Sequence, residues 1–122
     1  MNDKLFRLDG KVAVVTGAGN GLGRSFALGL AAFGATVICA DKNLAGADET
    51  VSLARQSRSK AEAMPVDVTD ETSVDDLWKR IAGEFPRIDV LINNAGINTN
   101  TPRTHEYSVA DWDRVMAVNL RG

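Results

Sequence analysis

This sequence predicts an α/β fold, a doubly wound parallel sheet with helices on both faces. Three observations lead there. Four short apolar runs alternate with segments of helical period, and strands joined by helical crossovers form a parallel sheet. The first run, Val12 to Val15, breaks into a loop with glycine at every second position: Gly17, Gly19, Gly21 and Gly23. That loop opens a helix. The second run ends on an acid, Asp41, which stands about 20 residues beyond the loop.

Residues 1 to 10 read as a polar arm, with Asp9-Gly10 as a turn into the first strand. Val12 to Val15 suits a strand buried on both faces. Past the loop, Leu22, Phe26, Leu30 and Phe33 recur at helical spacing, while Ala27, Gly29, Ala31 and Ala32 keep the other faces small. Gly34 stands where a C-terminal cap would. Thr36 to Ala40 is the second strand. Leu44, Ala47, Val51 and Ala54 mark a weaker amphipathic helix that runs out into a polar connection, Gln56 to Lys60.

Met64 to Val68 is the predicted third strand, and Pro65 demotes it towards a sheet edge because proline has no N–H to donate. Thr69 or Asp70 caps the next helix. Its Val74, Leu77, Trp78, Ile81 and Phe85 share one face, with Trp78 expected in the core, and Pro86 stops it. Asp89 to Ile92 is the fourth strand, apolar on both faces, and Ile97 to Tyr107 is a polar loop. Ser108 and Asp111 have capping-box spacing ahead of a last helix with Trp112, Val115, Met116 and Leu120 on its apolar side. The pattern breaks off there.

The glycine loop has a chemical use. Glycine tolerates positive φ and lets a ligand come close to the backbone. A helix N-terminus offers unpaired N–H groups and a partial positive charge, which suits a pyrophosphate. Asp41 stands where a dinucleotide fold holds the ribose hydroxyls.

The spacing after Thr16 is G-x-x-x-G-x-G, set by Gly17, Gly21 and Gly23, and not the common G-x-G-x-x-G. With Asn93-Asn94-Ala95-Gly96, and Asn119 within Val118-Asn119-Leu120-Arg121-Gly122, it resembles the cofactor-binding half of the short-chain dehydrogenase/reductase family. The resemblance covers essentially the whole chain. It implies a Rossmann fold with strand order 3-2-1-4, incomplete at its C-terminal side. Residues 1 to 122 would then be the dinucleotide-binding unit of a longer single-domain enzyme.

The same resemblance assigns roles. Gly17, Gly21 and Gly23 would carry the pyrophosphate turn, with Asn20 and Leu22 lining the loop. Asp41 would accept from the adenosine ribose, Asp67 from the adenine amino group, and Val68 would pack beside the ring. Asn93, Asn94, Ala95 and Gly96 would lie beside the cofactor. Asn119 would be one member of a catalytic tetrad. The tetrad's serine and Tyr-x-x-x-Lys have no counterpart here: the only tyrosine, Tyr107, precedes Asn119 and is followed four residues on by Asp111. The chain by itself is therefore expected to be inactive.

Composition narrows the class. Of 122 residues, 44% are hydrophobic and 25% charged, which is ordinary for one globular domain. A net charge of −2 argues against a general nucleic-acid surface. The single cysteine, Cys39, lies in an apolar run and reads as a small buried hydrophobe. With no signal peptide visible, it suggests a reducing, cytoplasmic setting. No apolar stretch is long enough to cross a membrane, and His105, the only histidine, has no metal-ligand cluster around it, so no metal is expected.

The expected function is hydride transfer between a nicotinamide cofactor and a small-molecule alcohol or ketone. NAD is expected over NADP, because a carboxylate at Asp41 would repel a 2′-phosphate. The alternative is a dinucleotide-binding module or fragment without chemistry. The fourth strand, apolar on both faces yet outermost in this order, wants a neighbour, from the remaining half of the fold or from a partner chain; the complete protein is also expected to be a homo-oligomer.

Overall fold

The computed structural model describes residues 3–96, together with helical positions at Ala110, Asp113 and Met116. After a short 3-10 helix, Asp3–Phe6, strands and helices alternate: β1 Val12–Thr16, α1 Gly21–Ala32, β2 Thr36–Asp41, α2 Leu44–Gln56, β3 Lys60–Pro65, α3 Glu71–Glu84 and β4 Val90–Ile92. All pairings are parallel, in the order β3-β2-β1-β4. This is the predicted doubly wound unit. Asn119, Ser108, Asp111 and the loop with Arg103, His105 and Tyr107 fall outside the described residues.

The period of two along each strand sorts the core into two layers. Ala13, Val15, Val37, Cys39 and Ala61 face α1 and α2, meeting Ala27, Ala31, Ala47, Val51 and Ala54. Val12, Val14, Ile38, Ala40 and Met64 face α3, meeting Leu77 and Ile81. Ile38, Met64 and Ile81 are the largest fully buried side chains. Each contributes roughly 1.5–3 kcal/mol by leaving water. Cys39 is buried, and burial pushes its thiol up to about 11.

Four expectations change. Helix α1 meets the sheet chiefly through small residues: Leu22 is 64% exposed and Phe33 48%, Phe26 and Leu30 are half-buried at the edge of the core, and the buried residues are Gly23, Ala27 and Ala31. Those three follow each other every fourth residue, and small side chains let the helix sit close to the sheet. Strand β3 begins at Lys60 and ends at Pro65, instead of spanning Met64 to Val68. Its Lys-Ala-Glu-Ala run has poor strand propensity, and the ladder to β2, from Thr36↔Lys60 to Asp41↔Pro65, decides the matter. Pro65 is tolerated because β3 is an outer strand.

Trp78, expected in the core, is 36% exposed, since the helical face turns Leu77 and Ile81 inward ahead of it. Strand β4 is shorter than predicted, three residues, and Leu91 on its α3 side is 45% exposed. Strand β1 shields β4 along one edge only.

The helix ends follow their chemistry. Asn43 caps α2, its side chain accepting from the Gly46 N–H, and Asp70 caps α3 by accepting from the Thr72 N–H. Gly34 closes α1, donating to the Ala31 carbonyl.

Asp89 ties β4 to the start of β1. The Val12 N–H donates to Asp89 Oδ2 at 2.8 Å, and the Asp89 N–H donates back to the Val12 carbonyl at 2.9 Å. The Val12 hydrogen bond, then Arg87 and Lys11, hold its carboxyl below the usual carboxylate range. A depressed folded pKa adds stability that is present above the ordinary carboxylate pKa of about 3.9 and is lost as pH falls through the folded value. Asp89→Ala should therefore melt below the parent protein at pH 7, with the gap closing towards pH 2–3. Thermal melts across that range check it, and a gap that stays constant with pH would refute the assignment.

Candidate dinucleotide-binding site

The candidate residues gather at the carboxyl ends of the parallel strands, where an open α/β sheet binds its ligands. Strand β1 ends at Thr16, and the loop 17–20 leads straight into α1. Strand β2 ends beside it at Asp41, β4 delivers Asn93 to Gly96 on the other side, and Asp67 follows β3.

Thr16 and Asn94 join two of these ends. The buried Thr16 Oγ1 accepts from the N–H groups of Asn94 and Ala95, both at 3.1 Å. Asn94 Nδ2 donates to the Gly17 carbonyl at 3.3 Å. The same carbonyl sits where a Cβ on Gly23 would stand, so this glycine is required by close approach. Asn93 and Gly96 are exposed beside this seam, and Ala95 is half-buried.

Helix α1 begins differently from α2 and α3. Its cap residue, Asn20, is extended at φ −163° and makes no side-chain cap bond, and the first turn carries no acid. The N–H groups of that turn are left for another partner. Gly21 lies at φ +52°, and a Cβ placed on it would meet nothing within 4 Å. Leu22 is exposed at the same mouth. Backbone donors, a positive helix end and open space together suit a phosphate.

Asp41 does more than sequence reasoning assigned to it. Its Oδ2 accepts from the Gly19 N–H at 2.7 Å and its Oδ1 from the Asn43 N–H at 2.9 Å. Each oxygen keeps a second lone pair for a hydroxyl. Asp67 is folded into its own turn: Oδ1 accepts from Thr69 Oγ1 at 2.6 Å and from the Thr69 N–H at 3.0 Å. Those bonds first, and Lys42 Nζ at 3.6 Å from Oδ2 after them, hold its carboxyl below the usual range. Val68 is half-buried against the α3 layer.

Sequence reasoning missed Arg24, Gly46 and Thr50. Arg24 Nη2 donates to the Gly19 carbonyl at 2.7 Å, and Nε donates to Thr50 Oγ1 at 3.0 Å. Thr50, fully buried, donates to the Ala18 carbonyl at 2.7 Å. Gly46 lies against the loop: a Cβ there would come within 2.7 Å of the Gly19 oxygen. One signal was available, since Arg24 is the only charged residue in the whole of α1.

A parallel sheet with a glycine loop, an open helix end and an acid on the neighbouring strand defines a Rossmann-type nucleotide-binding unit. The comparisons sharpen this. A family model for short chain dehydrogenases matches residues 11–122, and the chain belongs to that family. It is 41% identical over 117 residues to D-threitol dehydrogenase of Mycolicibacterium smegmatis, covering 96% of this chain and 45% of that protein. It is 40% identical over 116 residues to gluconate 5-dehydrogenase of Gluconobacter oxydans, covering 95% and 45%.

Among solved structures, hydroxysteroid dehydrogenase from Escherichia coli superposes with a TM-score of 0.86 at 34% identity, over 98% of this chain and 50% of that one. A metagenomic short-chain oxidoreductase in complex with NADP gives 0.86 at 31%, over 93% and 52%. The chain thus spans about half the length of the relatives it matches. Among the described residues no cluster of three or more His, Cys, Asp or Glu could hold a metal ion, and no helix is long and apolar enough to cross a membrane.

Gly23→Ala should lower the thermal midpoint, because its methyl overlaps the Gly17 carbonyl and crowds Asn94 Nδ2. Overpacking of this kind costs about 1–3 kcal/mol. Denaturant melts of this variant would check it, and an unchanged midpoint would mean that the loop relaxes freely.

Proposed function

We propose that the protein is an NAD-dependent oxidoreductase acting on an alcohol/carbonyl pair, and that residues 1 to 122 supply its cofactor-binding half. The observation that carries this reading is the uncapped N-terminus of α1 behind the glycine loop, with Asp41 at the adjacent strand end. The bound dinucleotide supplies the hydride acceptor or donor. The first-turn N–H groups from Gly21 to Gly23 bind pyrophosphate oxygens, with Asn20 beside them. Asp41 would accept from the adenosine ribose through its free lone pairs, and Asp67 would accept from the adenine amino group with Val68 beside the ring. The Thr16–Asn94 seam holds Asn93 to Gly96 beside the nicotinamide half. Asn119 holds a water of the proton relay. The tyrosine–lysine pair that moves the substrate's hydroxyl proton would lie outside these residues, so residues 1 to 122 alone are inactive. Substrates are small alcohols or ketones, the working protein is a cytoplasmic homo-oligomer, and nucleic acid and membranes are not partners.

Preference for NAD over NADP rests on Asp41. A 2′-phosphate about 4 Å from a carboxylate costs on the order of 1–4 kcal/mol at effective dielectrics of 80 to 20. Lys42, the nearest cation in sequence, is drawn towards Asp67 instead, at 3.6 Å. The metagenomic relative holds NADP, so the residue at this strand end is what the proposal sets against it.

Two measurements test this reading. Titration of the full-length protein should give a lower Kd for NADH than for NADPH, and Asp41→Ser should narrow or invert that ratio. Equal or tighter NADPH binding by the parent protein would refute the preference. Gly21→Val should abolish cofactor binding while circular dichroism keeps the signal of the sheet, because its side chain fills the space at the mouth of the loop and a β-branched residue is strained at φ +52°. Unchanged affinity in the folded variant would show that this loop does not hold phosphate.

A further inference from the structure

Arg24 reaches from α1 across the back of the glycine loop to α2. Its Nη2 lies 2.7 Å from the Gly19 carbonyl, 3.3 Å from the Gly46 carbonyl and 3.3 Å from Glu49 Oε2. Its Nε donates to the fully buried Thr50 hydroxyl at 3.0 Å, and Thr50 anchors in turn on the Ala18 carbonyl. The side chain is 24% exposed. Four groups thus fix a guanidinium whose shortest contact is to the loop itself.

The Gly19 carbonyl and the Asn20 N–H belong to one peptide plane, and in a trans peptide they point in opposite directions. With the carbonyl drawn inward to Arg24, the Asn20 N–H is turned the other way, away from α2. On the other side of the same residue, the Gly19 N–H is held by Asp41. Gly19 is therefore gripped at both ends, its carbonyl by a cation and its N–H by a carboxylate.

We propose that Arg24 is a positioning residue for the dinucleotide. It touches no part of the ligand. It presets the 19–20 peptide, and through Gly19 the Asp41 carboxylate, so that the loop binds without first being ordered. This inference rests on the dinucleotide reading above. Without Arg24 the loop must be ordered at the moment of binding, a cost that appears as weaker affinity. Glu49, 3.3 Å from the guanidinium, offsets part of its charge, and Arg24→Lys separates charge from placement.

The test uses the full-length protein and NADH, with Kd measured well below each variant's thermal midpoint so that unfolding does not enter. Arg24→Met keeps the length and removes every donor. It should weaken NADH binding about tenfold, with the cofactor KM rising by the same factor and the substrate KM holding. Arg24→Lys keeps the charge and one reaching donor, and should fold in any case. Its Kd should fall between those of the parent and the methionine variant. If Arg24→Met does not fold, an unchanged Kd in Arg24→Lys overturns the proposal by itself, and a raised one supports it. A parent protein that binds while both variants match it overturns the positioning role alone. A parent protein that binds neither NADH nor NADPH overturns the dinucleotide reading, and this inference with it.

Discussion

The Gly17 carbonyl is the point on which the site depends. Asn94 Nδ2 reaches it from the end of β4, and Gly23 approaches it so closely that a Cβ has no place. Those contacts bring the first turn of α1 over the end of β1. Thr16 repeats the connection one residue earlier, accepting from both Asn94 and Ala95. A loop with this much main-chain traffic cannot carry side chains on its inner face. Gly17, Gly19 and Gly23 are thus explained by the protein's own packing before any ligand is considered, whereas Gly21 has open space around it.

Packing of α1 follows from the same constraint. The helix must stay close to the sheet for its N-terminus to stand over the loop, and Gly23, Ala27 and Ala31 permit that distance. Leu22 is pushed outward, and Phe26, Leu28 and Leu30 pack half-buried at the edge of the core. Helices α2 and α3 carry ordinary caps from Asn43 and Asp70. Helix α1 alone of the three leaves its first turn without one. The contrast separates helix ends closed by their own cap residues from one whose first turn has none.

The back of the loop is held as firmly as its front. Arg24, Thr50 and Gly46 join α1, the loop and α2 into one polar cluster with every buried group paired, and Asp41 closes it from β2. A buried carbonyl such as that of Ala18 would be costly without a partner, and Thr50 supplies it. Stability and site geometry are here the same set of bonds. At the sheet's margins, Glu62 on the outer strand β3 pairs with Arg80 of α3, at 3.2 Å. Beside a second carboxylate, Glu84, its own carboxyl is raised mainly by burial and by that neighbour.

Much of this was legible in the sequence. Apolar runs of strand length, their alternation with helical segments, and the spacing of Gly17, Gly21, Gly23 and Asp41 are local or short-range patterns, and they determined the fold class; the strand order came from the family resemblance that the glycine spacing carries. What tertiary structure decided was of another kind. Strand β3 runs from Lys60 because hydrogen bonding to β2 outweighs the poor propensity of its alanines and lysine. Leu22 and Trp78 look like core residues by spacing, yet the faces that meet the sheet are those of Gly23 and Leu77. Arg24 reads as an isolated charge until α2 is folded against it. Periodicity tells which residues share a face, but not how near that face comes to its neighbour. That distance sets whether small or large side chains are buried, and which polar groups find partners across the gap.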